Sequence, residues 1–366
     1  MELHWFLPLS PDVSHVGTWP EEGPEPSLDH LTAIVEAAAE AGCRCLLVPA
    51  SYVTWLETFT AAAAVLGRTL HVQLMLAVRP NQFHPAQAAK MVASLQLLFP
   101  GRVRLNVTTG GWDEDRWIGS YDDRGQRYRR LHEWLEIVHG IWYGDHPFDF
   151  DGEIYRLDGA RLVRRPEGHV PIAMSGSSPE AREALIRFGD SYLLFAAPPA
   201  QVADEIGVLR GTAGCHEGIS VGLRSHIIVR ETESAAWEAA EEVISRVDPR
   251  VREVVAAQQM AGPSQRAAQQ RLSTAEDLVV SPNLWAGIGT GRFGVATAIV
   301  GDPQQVADRL MEYAKLGVDF FILSGYPKLA EARRFGQLVT PVLRERGVIG
   351  GQRTGSPNVV SPRENH

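Results

Sequence analysis

The sequence predicts an α/β chain folded as a closed (β/α)8 TIM barrel with insertions. Short continuous apolar runs alternate with stretches of helical periodicity, as in a parallel sheet covered on both faces. The apolar runs number about eight, at residues 3–8, 45–48, 70–78, 103–107, 172–175, 191–195, 220–229 and 320–323. Polar residues gather just after these runs, at the strand ends where barrel enzymes keep their chemistry. No GxGxxG follows the first run, which weighs against an open dinucleotide-binding sheet.

The first run ends in a polar loop with Ser10, Ser14 and His15. Residues 31–41 have helical spacing and stop at Gly42; 45–48 is then a buried strand closed by Pro49. Residues 59–66 form a helix pattern and 70–78 a strand. Pro85, at the first helical position, opens a helix to about Leu98. Strand 103–107 runs into Asn106-Val107-Thr108-Thr109-Gly110-Gly111-Trp112, and 127–143 is a long helix. An insertion over about 144–170 holds an alternating stretch around Asp151-Gly152, which predicts a hairpin. A second insertion, 248–292, is rich in Ala and Gln, ends in a Gly-rich loop, and predicts a mobile lid over the strand ends. Asp302-Pro303 is an N-cap acid followed by proline at the first helical position. Val306, Leu310, Tyr313 and Leu316 then recur at helical spacing until Gly317. Residues 320–323 form a last buried strand ending at Ser324-Gly325-Tyr326-Pro327. One domain over 1–349 follows, with 350–366, which lacks a core pattern, as a disordered tail.

Composition narrows the function. A net charge of -9 with no long basic run argues against nucleic acid as a partner. The N-terminus has no secretory pattern, and no stretch approaches the ~18 apolar residues of a membrane span. The cysteines, Cys43, Cys45 and Cys215, are poorly spaced for bridging, and no Cys/His cluster has zinc spacing. A reduced cytoplasmic protein without a structural metal is the simplest expectation.

Four polar clusters stand at strand ends. Asn106 offers donors and an acceptor that suit the edge of a heterocyclic ring, though it serves equally as a turn residue. Ser175-Gly176-Ser177-Ser178 precedes a helix, where hydroxyls and backbone N–H groups seat a phosphate or simply cap the helix. Arg224 and His226 share one face of a strand, and an arginine facing the outer helices would be costly to bury, so both belong at the barrel mouth. The nearby cation favours neutral imidazole, able to act as a base. Arg292 and Tyr326 complete a set suited to a small anion, although a loop arginine is commonly solvated and a strand-end tyrosine commonly packs.

SPNLWAGIGTGRFG, TAIVGDP, LGVDFFILSGYP, GLRSHIIVRET, WFLP and SGSS together resemble the FMNH2-dependent alkanesulfonate monooxygenases of the bacterial luciferase-like superfamily. The resemblance covers roughly residues 3–346. It implies a barrel that binds reduced FMN (FMNH2) supplied by a separate NAD(P)H:FMN reductase in a two-component system. O2 is the co-substrate, a flavin peroxy species attacks the substrate, and a sulfonate yields an aldehyde and sulfite. By matching motif, Asn106, Tyr128, Ser175, Gly176, Ser177 and Ser178 would hold the flavin. Arg224, His226, Arg292 and Tyr326 would be catalytic, with Arg292 arriving on the lid. A homodimer or homotetramer is implied in the same way.

The chain departs from that pattern along the implied substrate pocket. Thr54 stands where the sulfonate enzymes carry cysteine, Leu9-Ser10 where a histidine follows WFLP, and Phe195 where tryptophan is expected. TTGGW, with Trp112, replaces a Thr-Gly-Ser-Asp loop. Peroxyflavin oxygenation of another organic substrate, a flavin-binding protein without catalysis, and deazaflavin-dependent hydride transfer stand as alternatives.

Overall fold

The computed structural model describes residues 1–110, 113–257, 265–274 and 276–349; Trp112 and the tail 350–366 lie outside them. In chain order the strands are β1 (Glu2–Phe6), β2 (Cys45–Val48), β3 (Gln73–Val78), β4 (Val103–Val107), β5 (Phe148–Asp151) and β6 (Arg156–Ala160). They continue as β7 (Ile172–Ser175), β8 (Ser191–Phe195), β9 (Ser220–Val229), β10 (Val279–Ser281), β11 (Leu284–Trp285), β12 (Ala298–Gly301) and β13 (Phe320–Ser324). The helices are α1 (Leu28–Glu40), α2 (Thr58–Arg68), α3 (Pro85–Leu98), α4 (Arg124–Tyr143), α5 (Pro179–Phe188) and α6 (Pro199–Arg210). After them come α7 (Glu233–Ile244), α8 (Pro249–Ala257), α9 (Gln265–Ser273), α10 (Pro303–Lys315) and α11 (Lys328–Glu345).

The eight anticipated strands close on themselves in parallel as β1-β2-β3-β4-β7-β8-β9-β13 and back to β1, a (β/α)8 barrel. Their alternation sorts side chains by face. Leu3, Trp5, Leu46, Leu74, Leu105, Leu223 and Phe321 point outward into the layer packed by the helices. Cys45, Leu47, Met75, Ala173, Leu193, Phe320 and Ile322 fill the barrel interior. Register carries that assignment to the polar residues. Asn106 lies beside Ala173, Arg224 beside Ile322, and His226 beside Ser324, so all of them point inward.

Several boundaries differ from those expected, for identifiable reasons. Helix α1 starts at Leu28 because the Ser27 side chain accepts from His30 N and caps it there. Strand β3 starts at Gln73, since Leu70 is exposed and His71 has φ 67°. Strand β12 was not anticipated. Strand β9 outlasts its neighbour β8, which ends opposite Arg224, and β12 takes over the vacated edge from His226 to Val229. The first insertion does contain an antiparallel hairpin, β5–β6. Glu133 of α4 holds its turn by accepting from the backbone N–H groups of Glu153, Ile154 and Tyr155.

The described part of the second insertion is bound to the barrel by buried amides. Gln269 Nε2 donates to Ala196 O at 2.8 Å, and its Oε1 accepts from Ala296 N at 3.0 Å. Gln270 Nε2 donates to Gly289 O at 3.1 Å, in the Gly-rich loop. Among the described residues no helix is long and apolar enough to cross a membrane.

Asp302 caps α10 through Gln304 N and Gln305 N, both at 2.9 Å, while Gln305 accepts from Asp302 N at 3.0 Å. Asp302→Ala is therefore expected to cost about 1 kcal/mol of unfolding free energy, seen as a lower urea midpoint. An unchanged midpoint contradicts the capping account.

Candidate functional site

Strand β9 builds the site by sending two basic side chains into the barrel mouth. Arg224 is only 7% exposed, and its guanidinium lies 4.2 Å from the centroid of the Phe6 ring. Its Nη1 is buried without a hydrogen-bond partner. Burial, reinforced by the like charge of Arg292, lowers its pKa to about 9, so the group remains cationic at neutral pH.

His226 is buried beside it. Its Nδ1 lies 2.9 Å from Ser324 Oγ, and its Nε2 is buried without a partner. Burial first, then the charges of Arg292, Arg224 and Lys328, hold its pKa well below the usual 6.5. The ring is neutral at physiological pH, with Nε2 as the nitrogen left for a ligand.

Tyr326 links His226 to Arg292. Its ring centroid is 5.2 Å from that of His226, and its hydroxyl accepts from Arg292 Nη1 at 2.7 Å. Lys328 Nζ sits 4.0 Å from the centre of the same ring. Burial alone would push the phenol's pKa up. The cations Arg292, Lys328 and Arg224 outweigh it and leave the net value below 10.

A second group forms at the end of β7. Ser178 Oγ donates to Tyr128 OH at 2.9 Å and also accepts from Ala181 N at 3.2 Å, so it is at once the N-cap of α5 and part of a polar cluster. Gly176 has φ +127°, and a Cβ there would meet Ala181 Cβ at 2.8 Å, which excludes a side chain at this turn. The carbonyl of Ser177 accepts from Arg182, and Ser175 ends β7 on its inward face beside Leu193. A cleft of about 560 Å³ opens alongside, lined by Tyr128, Arg124, His132 and Glu180 among others. Asn106 points inward from β4 with its Oδ1 buried and unpaired.

The expected pocket residues are less tightly connected. Phe195 ends β8 directly beside Arg224. Thr54 Oγ1 lies 2.8 Å from Ser51 O and 3.0 Å from Leu56 O, so its hydroxyl is used within its own loop. Ser10 follows Leu9, whose carbonyl accepts from Trp55 N and Leu56 N and ties the first two mouth loops together. Among the described residues no hydrogen bond joins Ser10 or Thr54 to the Arg224–His226 cluster. Trp112 falls outside the described residues.

Sequence reasoning missed four contributors. Ser324 was visible as the inward end of β13, since period-two alternation from Phe320 and Ile322 reaches it. Lys328 follows Tyr326-Pro327 at a strand end, a position that invites attention. Asp12 accepts from Lys328 N at 2.6 Å, Leu329 N at 3.1 Å and His30 Nε2 at 3.1 Å, and so seats the start of α11. Arg79, 1% exposed, donates to Glu114 at 2.6 Å and Asp115 at 2.7 Å. Ser51 Oγ donates to the same Glu114, which locks three mouth loops together.

The site makes a pH prediction for His226. Folding disfavours its protonation, so the unfolded chain takes up the proton first as the pH falls. The stability it contributes is complete above about 6.5 and declines as the pH falls from there toward the lower folded-state pKa. Its ring NMR resonances should stay constant from about pH 8 to about pH 6; an inflection at the ordinary histidine pKa contradicts the electrostatics described.

Residues 1–320 match the family of luciferase-like monooxygenases. Among solved structures, EDTA monooxygenase (EmoA) from Chelativorans sp. BNC1 is similar with a TM-score of 0.79 and 20% identity, over 96% of this chain and 95% of that one. Long-chain alkane monooxygenase (LadA) gives 0.76 and 18%, over 96% and 93%. Riboflavin lyase (RcaE), solved with modified FMN and riboflavin, gives 0.75 and 20%, over 96% and 92%. At such identities the structural likeness is one of fold. The family match spans most of the barrel, including Asn106, Arg224, His226 and Arg292 and ending before Ser324 and Tyr326: the chain belongs to the luciferase-like monooxygenase family.

Proposed function

We propose that the protein is the oxygenase of a two-component system, using O2 and FMNH2 supplied by a separate NAD(P)H:FMN reductase. Its reaction is oxidative C–S cleavage of an organosulfonate to an aldehyde and sulfite. The observation that carries this reading is the buried, partnerless Nη1 of Arg224 beside neutral His226 and the Arg292–Tyr326 pair. A buried guanidinium without a counter-charge is costly, and an anionic ligand relieves that cost. Its planar array of donors also suits the oxygens of a sulfonate.

The residues present fit FMN. Asn106 has an orphaned buried carbonyl oxygen for a ring N–H. Ser175, Ser177 and Ser178, with Gly176 and Tyr128, gather hydroxyls and close backbone at the N-terminus of α5, a setting suited to phosphate. When bound, reduced FMN supplies the electrons with which O2 is activated. The protein's own residues do the rest. Arg224 and Arg292 hold the anion, Tyr326 offers a hydroxyl polarised by Arg292, and His226 Nε2 accepts or returns a proton. The Gln269 and Gln270 anchors hold the second insertion and its Gly-rich loop against the end of β8, where they exclude water. In this reading the described part of the insertion covers the strand ends as a lid, and Arg292 is its contribution to the site.

The Thr54 hydroxyl, bonded within its own loop, favours a second reading: the same flavin chemistry on an organic substrate that is not a sulfonate. Assembly as a homodimer or homotetramer, and a cytoplasmic location, are part of the proposal by resemblance.

Sulfite release across alkyl and aryl sulfonates, with an FMN reductase and NADH present, tests the reaction. His226→Ala should lower turnover about a hundredfold, read at a urea concentration where the variant remains folded. Sulfite production unaffected by that change, or by Arg292→Ala, contradicts the assignment of the corresponding residue. For the cofactor seat, Tyr128→Phe removes a hydroxyl bonded to Ser178 and should weaken reduced-FMN binding about fivefold to tenfold, measured by anaerobic titration. Unchanged affinity argues against this seat.

A further inference from the structure

Lys328 belongs to the cationic cluster but takes no part in the chemistry above. It is the first residue of α11, is 5% exposed, and holds its Nζ against the Tyr326 ring. Among the described residues no carboxylate lies within ion-pair distance of Lys328, Arg224 or Arg292. Burial lowers the pKa of Lys328, and the two carboxylates that act against that shift are Asp12 and Glu21. The oxygens of Asp12 are occupied by two backbone N–H groups of α11 and by His30, and Glu21 is exposed. Three cations thus converge on Tyr326 and His226 without a carboxylate paired to any of them. Like charges brought together out of water repel strongly, and a ligand bearing one negative charge answers only part of that repulsion. Plain packing against Tyr326 would be served as well by an uncharged side chain such as methionine.

We propose that the substrate carries two anionic groups, one engaged by Arg224 and Arg292 and the other by Lys328. This rests on the functional reading above and refines its substrate class: a short organosulfonate bearing a second acidic group, sulfonate or carboxylate. Lys328 is then a specificity-determining residue, set in place by the Asp12 cap of α11 and by the face of Tyr326.

The test is calorimetric binding of ethane-1,2-disulfonate, 3-sulfopropionate and 1-propanesulfonate to the full-length protein, with and without FMN. The two dianions should bind at least about tenfold more tightly than the monoanion. Lys328→Met should weaken the dianions by about tenfold and 1-propanesulfonate by less than about threefold, and Lys328→Arg should restore most of the difference. Equal affinities in the unaltered protein, a preference that survives Lys328→Met, or no binding of any of the three overturns the proposal. So does a Lys328→Met variant whose main loss is FMN affinity, because the lysine would then serve the cofactor. A parallel comparison of succinate with butyrate separates the two levels of inference. A lysine-dependent preference for succinate without sulfite from any sulfonate sustains the dianion pocket and removes C–S cleavage. Sulfite from 1-propanesulfonate with no dianion preference does the reverse.

Discussion

A single buried guanidinium sets the terms of this structure. Strand β9 must alternate, and its place in a closed barrel leaves one face for the helices and one for the interior. Arg224 falls on the interior face, where the Phe6 ring covers it and no carboxylate pairs with it among the described residues. An uncompensated buried charge is among the more expensive features a fold can carry. Its place here, next to further cations, is what the proposed anionic substrate rests on. Burial first, and then the same charges, keep His226 neutral, while at Tyr326 those charges outweigh burial and favour phenolate.

The rest of the mouth keeps that arrangement in place. Ser324 orients the His226 ring from the neighbouring strand, and Asp12 fixes the start of α11 and with it Lys328. Arg79 and its carboxylates bind together the loops after β2, β3 and β4, which surround the opposite side. The buried glutamines of α9 fasten the second insertion to the end of β8. The cationic cluster and the Ser178–Tyr128 pair therefore stand at different strand ends of one barrel, with Asn106 projecting inward from the strand beside β7. In the function proposed here, the first receives the anionic substrate and the second the cofactor.

Much of this was legible in the sequence because short-range periodicity dictates which way a side chain faces. Buried strands appeared as continuous apolar runs, Asp302-Pro303 announced α10, and the spacing of Arg224 and His226 put both on one face before any partner was known. What periodicity does not carry is the identity of a partner far along the chain. His226 meets Ser324 and Lys328 meets Asp12 across 98 and 316 residues. Arg79 finds Glu114 in a short 3-10 helix, Asp113–Ile118, that no sequence periodicity announces. Helix α11 is legible in the helical spacing of Ala332, Phe335, Val339 and Leu343. Strand β12 depends on β9 outlasting β8, a consequence of three-dimensional pairing that four apolar residues do not announce.

The most direct measurement is a crystal structure of the protein with FMN and 3-bromopropanesulfonate, the bromine located by anomalous scattering. The account predicts sulfonate oxygens within hydrogen-bond distance of Arg224 Nη1, and the flavin phosphate at Ser178 and Tyr128. A sulfonate bound elsewhere, with Arg224 Nη1 still facing no anion, would contradict it.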